Sequence, residues 1–430
     1  MSRIRFATTA LAAMLLVAPA MQAVDLQSIP GTDTKLSVYG FIQPNFTYFF
    51  NANQGGTYAP SLFYAVPADG GFPAGSSPLD THRAPQDNYQ FQVKASRLGF
   101  STVTPSASLG DITTKLEFDL NNASSGLGLR HAVVMFGGWT IGRYWSLWND
   151  LDAGADTVDW AGAIGSACYD TPRLNEIQYN FKFDKNNSLA FSLEQNGGVN
   201  GDGSGIIPGT GSTVTAGTPD AKIPTLVAAY TYSDTWGHVA LRGLAQNYGA
   251  YNAPTATTGS SRYNKVEGAG MISGDVKFGK DDLIFNAYYG DALGQYGTGF
   301  QGALLVDATQ NVYAFKNVGW TVGYTHSWTD AVRSNIVLSG VSYTDNSDID
   351  ALQPAAAAAS VNNGIKSGYQ GFINTFVKLA KNTEIGFEYV YEQAKPFGTA
   401  AAQALTANSD DQPASKNSAS KIEVDLHVKF

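Results

Sequence analysis

Cysteine is almost absent: Cys168 is the only one in the chain. No intrachain disulfide can form, and a lone cysteine reads as a small packed or loop residue rather than a reactive one. Long apolar runs are missing too. Nothing reaches about eighteen consecutive apolar positions, which excludes a helical membrane span. Charge is sparse, 15% of residues, and acids outnumber bases 36 to 27 with no basic tract, so nucleic acid is not an expected partner. Histidine is limited to His82, His131, His238, His326 and His427, none set beside a nucleophile in a recognisable catalytic motif, and an enzyme is not expected. No Cys/His spacing suits zinc and no glycine-rich phosphate loop leads from a strand into a helix, so neither metal nor cofactor is expected. Asp345, Asp348 and Asp350 come nearest to a hard-cation cluster and read better as a solvated turn. Sustained helical periodicity is lacking as well.

What is present is alternation. In the last ten residues Ile422, Val424, Leu426, Val428 and Phe430 share one face, while Lys421, Glu423, Asp425, His427 and Lys429 share the other. One such strand also suits a half-buried sheet of a soluble sandwich. Recurrence decides. Sixteen segments with strand character run from 35–50 to 420–430, joined alternately by tight turns such as Gly137-Gly138 and Lys381-Asn382 and by mostly long loops. Short turns at one end and long loops at the other are the pattern of an even-stranded transmembrane β-barrel, which pairs every backbone group without leaving an edge in lipid. The fold class expected is all-β: a 16-stranded antiparallel barrel over 35–430 with periplasmic turns and extracellular loops. Aromatic pairs near strand ends, such as Tyr230 with Tyr232 and Tyr389 with Tyr391, suit the interfacial girdles or ordinary packing between strands.

The first residues fit an exported chain. Arg3 and Arg5 precede an apolar run from Phe6 to Val17 and small residues to Ala23, the layout of a signal peptide over 1–23. Cleavage after Ala23 leaves Val24 first; cleavage after Ala20 is the alternative. Loss of two arginines takes the formal charge from −9 to about −11, and 24–34 becomes a short periplasmic segment ahead of the barrel.

One stretch stands apart. Strand 139–147 enters a loop of about 148–172 that carries Asp150, Asp152, Asp156 and Asp159, and strand 173–183 leaves it. At roughly 3.3 Å per extended residue the loop is long enough to fold inward and narrow a barrel lumen. Its acids and the cations flanking it make a candidate filter.

At Ser96-Arg-Leu-Gly-Phe100, Gly110 to Phe118, Leu129-Arg-His131 and Ile141-Gly-Arg143 the sequence resembles general trimeric porins. A nearer resemblance is to the DcaP-like porins, linked to dicarboxylates. It rests on Ile29 to Thr34, Leu129 to Ala132, Trp139-Thr140, Asp156 to Trp160, Asp291 to Tyr296, Gly323 to Asp330 and Arg333-Ser-Asn335. The similarity covers nearly the whole mature chain apart from the long loops. It implies an outer-membrane diffusion channel for small anionic solutes, a homotrimer in contact with outer-membrane lipid and lipopolysaccharide. Arg97, Arg143 and Arg173 match the wall arginines of porin constrictions, Arg130 follows the same pattern, and Asp156 and Asp159 are nearest to the pore-facing loop acids. Phe41 stands where some general porins hold a lumen lysine, and 24–34 is too short for the N-terminal coiled coil of many relatives, so a trimer would be held by the barrel wall.

Strand parity supports part of this. Ile112, Leu116, Phe118 and Leu120 share a face, leaving Lys115, Glu117 and Asp119 to the lumen. Charge on the lipid face near midplane would cost roughly 2–4 kcal/mol. Arg97 should also point inward, but Phe91 and Val93 share its parity, which calls for a bulge or an apolar lumen patch. Arg173 shares parity with Ile177, Tyr179 and Phe181. Arg242 and Arg333 are further lumen candidates. Each arginine could line a passage or hold the barrel's shape by pairing with the loop aspartates. A channel favouring cations or sugars, an outer-membrane hydrolase and an adhesin remain the alternatives.

Overall fold

The structure, a computed structural model, describes residues 27–52, 86–121, 126–160, 162–166, 173–195, 206–208, 218–219, 222–252, 261–291, 293–297, 304–306, 312–344, 365–396 and 418–430. The signal peptide expected over 1–23, Cys168 and the Asp345–Asp350 cluster lie outside the described residues.

Sixteen antiparallel strands close on themselves. They are β1 (Lys35–Ile42 and Asn45–Ala52), β2 (Gln86–Gln92 and Arg97–Thr104), β3 (Ile112–Asp119), β4 (Gly128–Phe136), β5 (Trp139–Trp145) and β6 (Arg173–Lys182). Next come β7 (Asn187–Glu194), β8 (Thr225–Asp234), β9 (Gly237–Asn252), β10 (Ser261–Phe278) and β11 (Asp281–Asp291). The circuit ends with β12 (Lys316–Ser327), β13 (Val332–Tyr343), β14 (Ile365–Ala380), β15 (Thr383–Pro396) and β16 (Ser418–Lys429). Closure runs through β16 against β1, with Phe50 opposite Ser420 and Phe41 opposite Lys429. The sixteen elements are those the sequence predicts. Their bounds differ mainly at the long-loop ends, β9 running to Asn252 rather than 248.

Alternation explains the two faces. On β16 Lys421, Glu423 and Asp425 are buried inside, whereas Ile422 is exposed outside. The outer face carries Leu98, Phe100, Leu116, Ile141, Ile177 and Leu193, all exposed. Among the described residues no helix is long and apolar enough to cross a membrane.

Two irregularities re-aim side chains. The turn at Val93–Ser96 adds a residue to β2, so Phe91 faces out while Arg97 faces in, which supplies the bulge that the parity of β2 calls for. On β4 the register skips Arg130: Glu117 pairs with His131 and Phe118 with Leu129. Arg130 and His131 are therefore both buried on the inner side.

Loop 3, the connection from β5 to β6, enters the lumen, and a second infolded piece joins it. Leu293 and Tyr296, just after β11, are fully buried against Trp148, Leu174, Val227, Leu244, Met271 and Tyr288. The sequence reading assigns that piece to an ordinary long loop; its apolar residues are too few to signal insertion. Elsewhere Ile206–Pro208 pairs in parallel with Leu304–Val306, which pairs with Val312–Ala314, joining the fourth and sixth long loops.

Candidate functional site in the barrel lumen

Loop 3 is fastened to the inner wall at successive points by its polar groups. At its start Ser146 Oγ and Leu147 N donate to the Glu194 carboxylate of β7, 2.7 and 2.9 Å away, and Tyr296 Oη donates to the same group at 2.8 Å. Asp150 comes next. It accepts from Arg242 Nη1 of β9 at 2.9 Å and from Ser273 Oγ of β10 at 2.5 Å, and it lies 3.0 Å from His238 Nε2, whose other ring nitrogen contacts Asp275. Asp156 meets Arg333 of β13 with Nε–Oδ2 2.5 Å, and Arg333 also pairs with Glu384 of β15. The Val158 and Asp159 amides donate to the two Glu388 oxygens of β15, 3.0 and 2.9 Å away, as helix-free backbone turned toward a buried carboxylate must if its donors are to be satisfied. Asp159 Oδ2 then accepts from Lys421 Nζ of β16 at 2.6 Å, and the Ile164 amide donates to Gln370 of β14 at 2.8 Å.

Close backbone approach finishes the seat. Gly165 has φ of +71°, and a Cβ there would lie 2.3 Å from the Gly340 carbonyl oxygen of β13. Only glycine combines that conformation with that distance.

The other side of the lumen, β2 to β6, is cationic and aromatic. A recess of 380 Å³ is lined by Tyr39, Arg97, Ser101, Lys115, Glu117, His131, Tyr144 and Trp145. Glu117 accepts from Arg130 Nε at 2.8 Å and from Tyr39 Oη at 3.1 Å, and Arg130 reaches Asp119 with Nη1 at 2.8 Å. The Arg173 guanidinium stacks on the Trp145 ring with its carbon 3.8 Å from the centroid, and that of Arg130 lies 5.9 Å from the same ring. Arg97 sits 5.0 Å over Phe41 and 4.0 Å from Glu117. Aromatic faces hold guanidinium groups in place without neutralising them.

Arg97, Arg130 and Arg173 thus meet around Trp145 and Glu117. Arg143 does not join them. It pairs across strands with Ala132 and Asn175 and shares its face with the exposed Trp139 and Ile141, so parity sends it outward, where Nε donates to the Leu129 carbonyl at 3.3 Å. Arg242 and Arg333 are inside, each bound to a loop aspartate. The acids divide as well. Asp150 and Asp159 are 3% and 1% exposed and face the wall, which corrects the expectation that Asp159 faces the pore; Asp156 is half-buried, and Asp152 is exposed. Lys421, His238 and Glu388 are the site residues missed from sequence. Parity put Lys421 on the inner face, but its partner lies 262 positions away in the chain.

A closed sixteen-stranded barrel with an infolded third loop and an asymmetric lumen is a porin architecture, and the chain matches the DcaP outer membrane protein family over residues 22–406. This chain belongs to the DcaP family. That places it in the Gram-negative outer membrane, in a family of channels. The solved outer membrane channel DcaP of Acinetobacter baumannii is similar at a TM-score of 0.68 and 16% identity, with 95% of this chain and 100% of that one covered. OmpT of Vibrio cholerae, at 0.55 and 9% over 95% and 100%, shares the fold with this DcaP chain. So does an anion-selective porin of Comamonas acidovorans, at 0.53 and 11% over 92% and 100%. No curated protein matches the chain in sequence.

Proposed function

We propose that this DcaP protein is a passive, water-filled channel that favours small anions, dicarboxylates among them, and that three copies associate through their walls amid lipid and lipopolysaccharide. The observation that carries the reading is the inequality of the two sides. On the loop side Asp150, Asp156 and Asp159 are each tied to a cation of the wall, Arg242, Arg333 and Lys421. On the opposite side four cations, Arg97, Lys115, Arg130 and Arg173, stand against two carboxylates, Glu117 and Asp119. A lumen so arranged attracts a carboxylate, to which a planar guanidinium can donate two hydrogen bonds at any relevant pH. Exposed Asp152 favours the competing reading of cation passage. The anion-selective Comamonas porin and the trimer form of OmpT share the architecture.

The test is the reversal potential of single channels in a planar bilayer under a potassium chloride gradient, followed by titration with succinate. Anion preference with succinate block is expected, weakened in Arg97→Ala and Arg173→Ala. Cation preference without block would overturn the reading. Sedimentation of the detergent-solubilised protein as a single barrel would overturn the trimer.

A further inference from the structure

The cations of the lumen are not confined to the constriction. At the short-turn end, β12 to β16 and the turn after β10 enclose a recess of 510 Å³, within the range of about 300–1,000 Å³ usual for ligand sites. Its charges sort into pairs and a remainder. Lys280 Nζ meets Asp330 Oδ1 at 2.5 Å, and Arg333 Nη2 meets Glu384 Oε1 at 3.0 Å. Lys378, Lys381 and Lys429 also line the recess, exposed, and among the described residues no carboxylate lies within ion-pair distance of them. His427 of β16 stands beside Glu384 in the strand register.

The register connects this recess to the constriction. Lys429 is opposite Phe41, and Phe41 is opposite Arg97, so a lysine of the mouth and an arginine of the filter flank one aromatic residue on the inner face of β1. Adjacent strands are about 4.8 Å apart, which puts the two cations roughly 10 Å from each other along the row. Phe41 itself holds the Arg97 guanidinium at 5.0 Å and touches the His427 ring, with centroids 4.2 Å apart.

We propose that the recess bounded by Lys378, Lys381 and Lys429 is a second binding station for small dianions, located on the periplasmic side of the constriction and reached from it across Phe41. Five cations of the lining face two carboxylates, Asp330 and Glu384, and an excess of three positive charges suits two negative charges better than one. Lysine also suits a station that must release its ligand, because a mobile, strongly hydrated ammonium holds a carboxylate or phosphate without the fixed two-point geometry of arginine. Conduction through several weak sites requires such release. The station's part in transport rests on the anion reading above; its binding of dianions does not.

The experiment reads the recess directly. Ala331→Cys adds a thiol at an exposed lining position of the full chain, in a Cys168→Ser background, and its rate of modification by a neutral thiol reagent is followed in detergent at constant ionic strength. Succinate and inorganic phosphate are the probes, with acetate as the singly charged control. Succinate and phosphate are expected to slow the reaction severalfold and acetate to leave it unchanged. Protection is expected to vanish in the Lys378→Gln, Lys381→Gln, Lys429→Gln variant, whose unfolding temperature in detergent, equal to that of the parent, shows that the barrel is intact. Protection by phosphate alone would identify an oxyanion station instead and overturn the dicarboxylate hand-over. Absence of protection by either dianion, or protection that survives the triple change, would overturn the station. Reversal potentials of the same proteins report separately on the channel: cation preference with protection intact would discard the anion reading and keep the station, and anion preference without protection would do the reverse.

Discussion

Lys421 is a residue whose removal the structure penalises. Its ammonium is fully buried between Asp159 and Glu423, 2.6 and 2.5 Å away. A methionine there would fill the space and leave two carboxylates without their cation, a change that costs about 3–5 kcal/mol when one partner of a buried pair is removed. Lys421→Met is expected to unfold at lower temperature in detergent, and Asp159→Asn in the same molecule to recover part of the loss, since the two groups act as a unit. An unfolding temperature equal to the parent's would show that the pair does not anchor the loop. Arg143 makes the contrasting case. It lies on the outer face of β5, where its Nε donates to the Leu129 carbonyl, away from the recess around Glu117. Arg143→Ala is expected to leave the reversal potential unchanged; a shift as large as that of Arg97→Ala would return Arg143 to the filter.

At the scale of the element, loop 3 behaves as a tie between distant strands. Its seat depends on Gly165, whose added Cβ would strike the Gly340 carbonyl. Gly165→Val is therefore expected to lift the loop's far end and give larger, noisier single-channel currents while the barrel itself persists, and currents identical to the parent's would refute the seat. Much of this element was legible in sequence. The entry and exit strands, the length of the loop and its four acids were all visible, but their direction was not. Whether an aspartate faces water or wall depends on which cation waits behind it, and Arg242, Arg333 and Lys421 arrive from strands far along the chain. For Arg143 the signal was in the sequence, since it shares parity with the outward Trp139 and Ile141, whereas Arg173, of the same parity as the outward Ile177, stacks on Trp145 at the edge of the loop as the resemblance implies. Arg130 was reached by the resemblance and not by parity. A bulge places it beside His131 on the inner face, and neither residue announces a bulge.

For the whole molecule the net charge is a poor guide to the pore. The chain carries −9 in total, yet the acids of the constriction loop are largely spent on its own anchorage. On the proposed reading selectivity comes from the field of the β2 to β6 side, and fields across a wet lumen are screened by salt. The Debye length falls from about 10 Å at 0.1 M to about 3 Å at 1 M. The anion preference is expected to be strong in dilute potassium chloride and to approach that of bulk solution near 1 M; a permeability ratio independent of salt would point to a dry, size-based filter. The barrel itself was the most legible feature, because period-two alternation and the sorting of short from long connections are imposed by lipid and by closure. The lumen has no such periodic constraint, which is why the second infolded piece at Leu293 and Tyr296 carried no signature.

The bond between Asp159 and Lys421 also fixes an order of assembly. Its two residues are 262 positions apart, and Lys421 belongs to the strand that completes the circuit. Until β16 docks on β1, the carboxylate of Asp159 has no ammonium to meet, and the loop can find its early attachments on β7, β9 and β10 but not its last. Contacts so distant in the chain form late. The last attachment of the constriction loop therefore forms no earlier than the strand that closes the circuit.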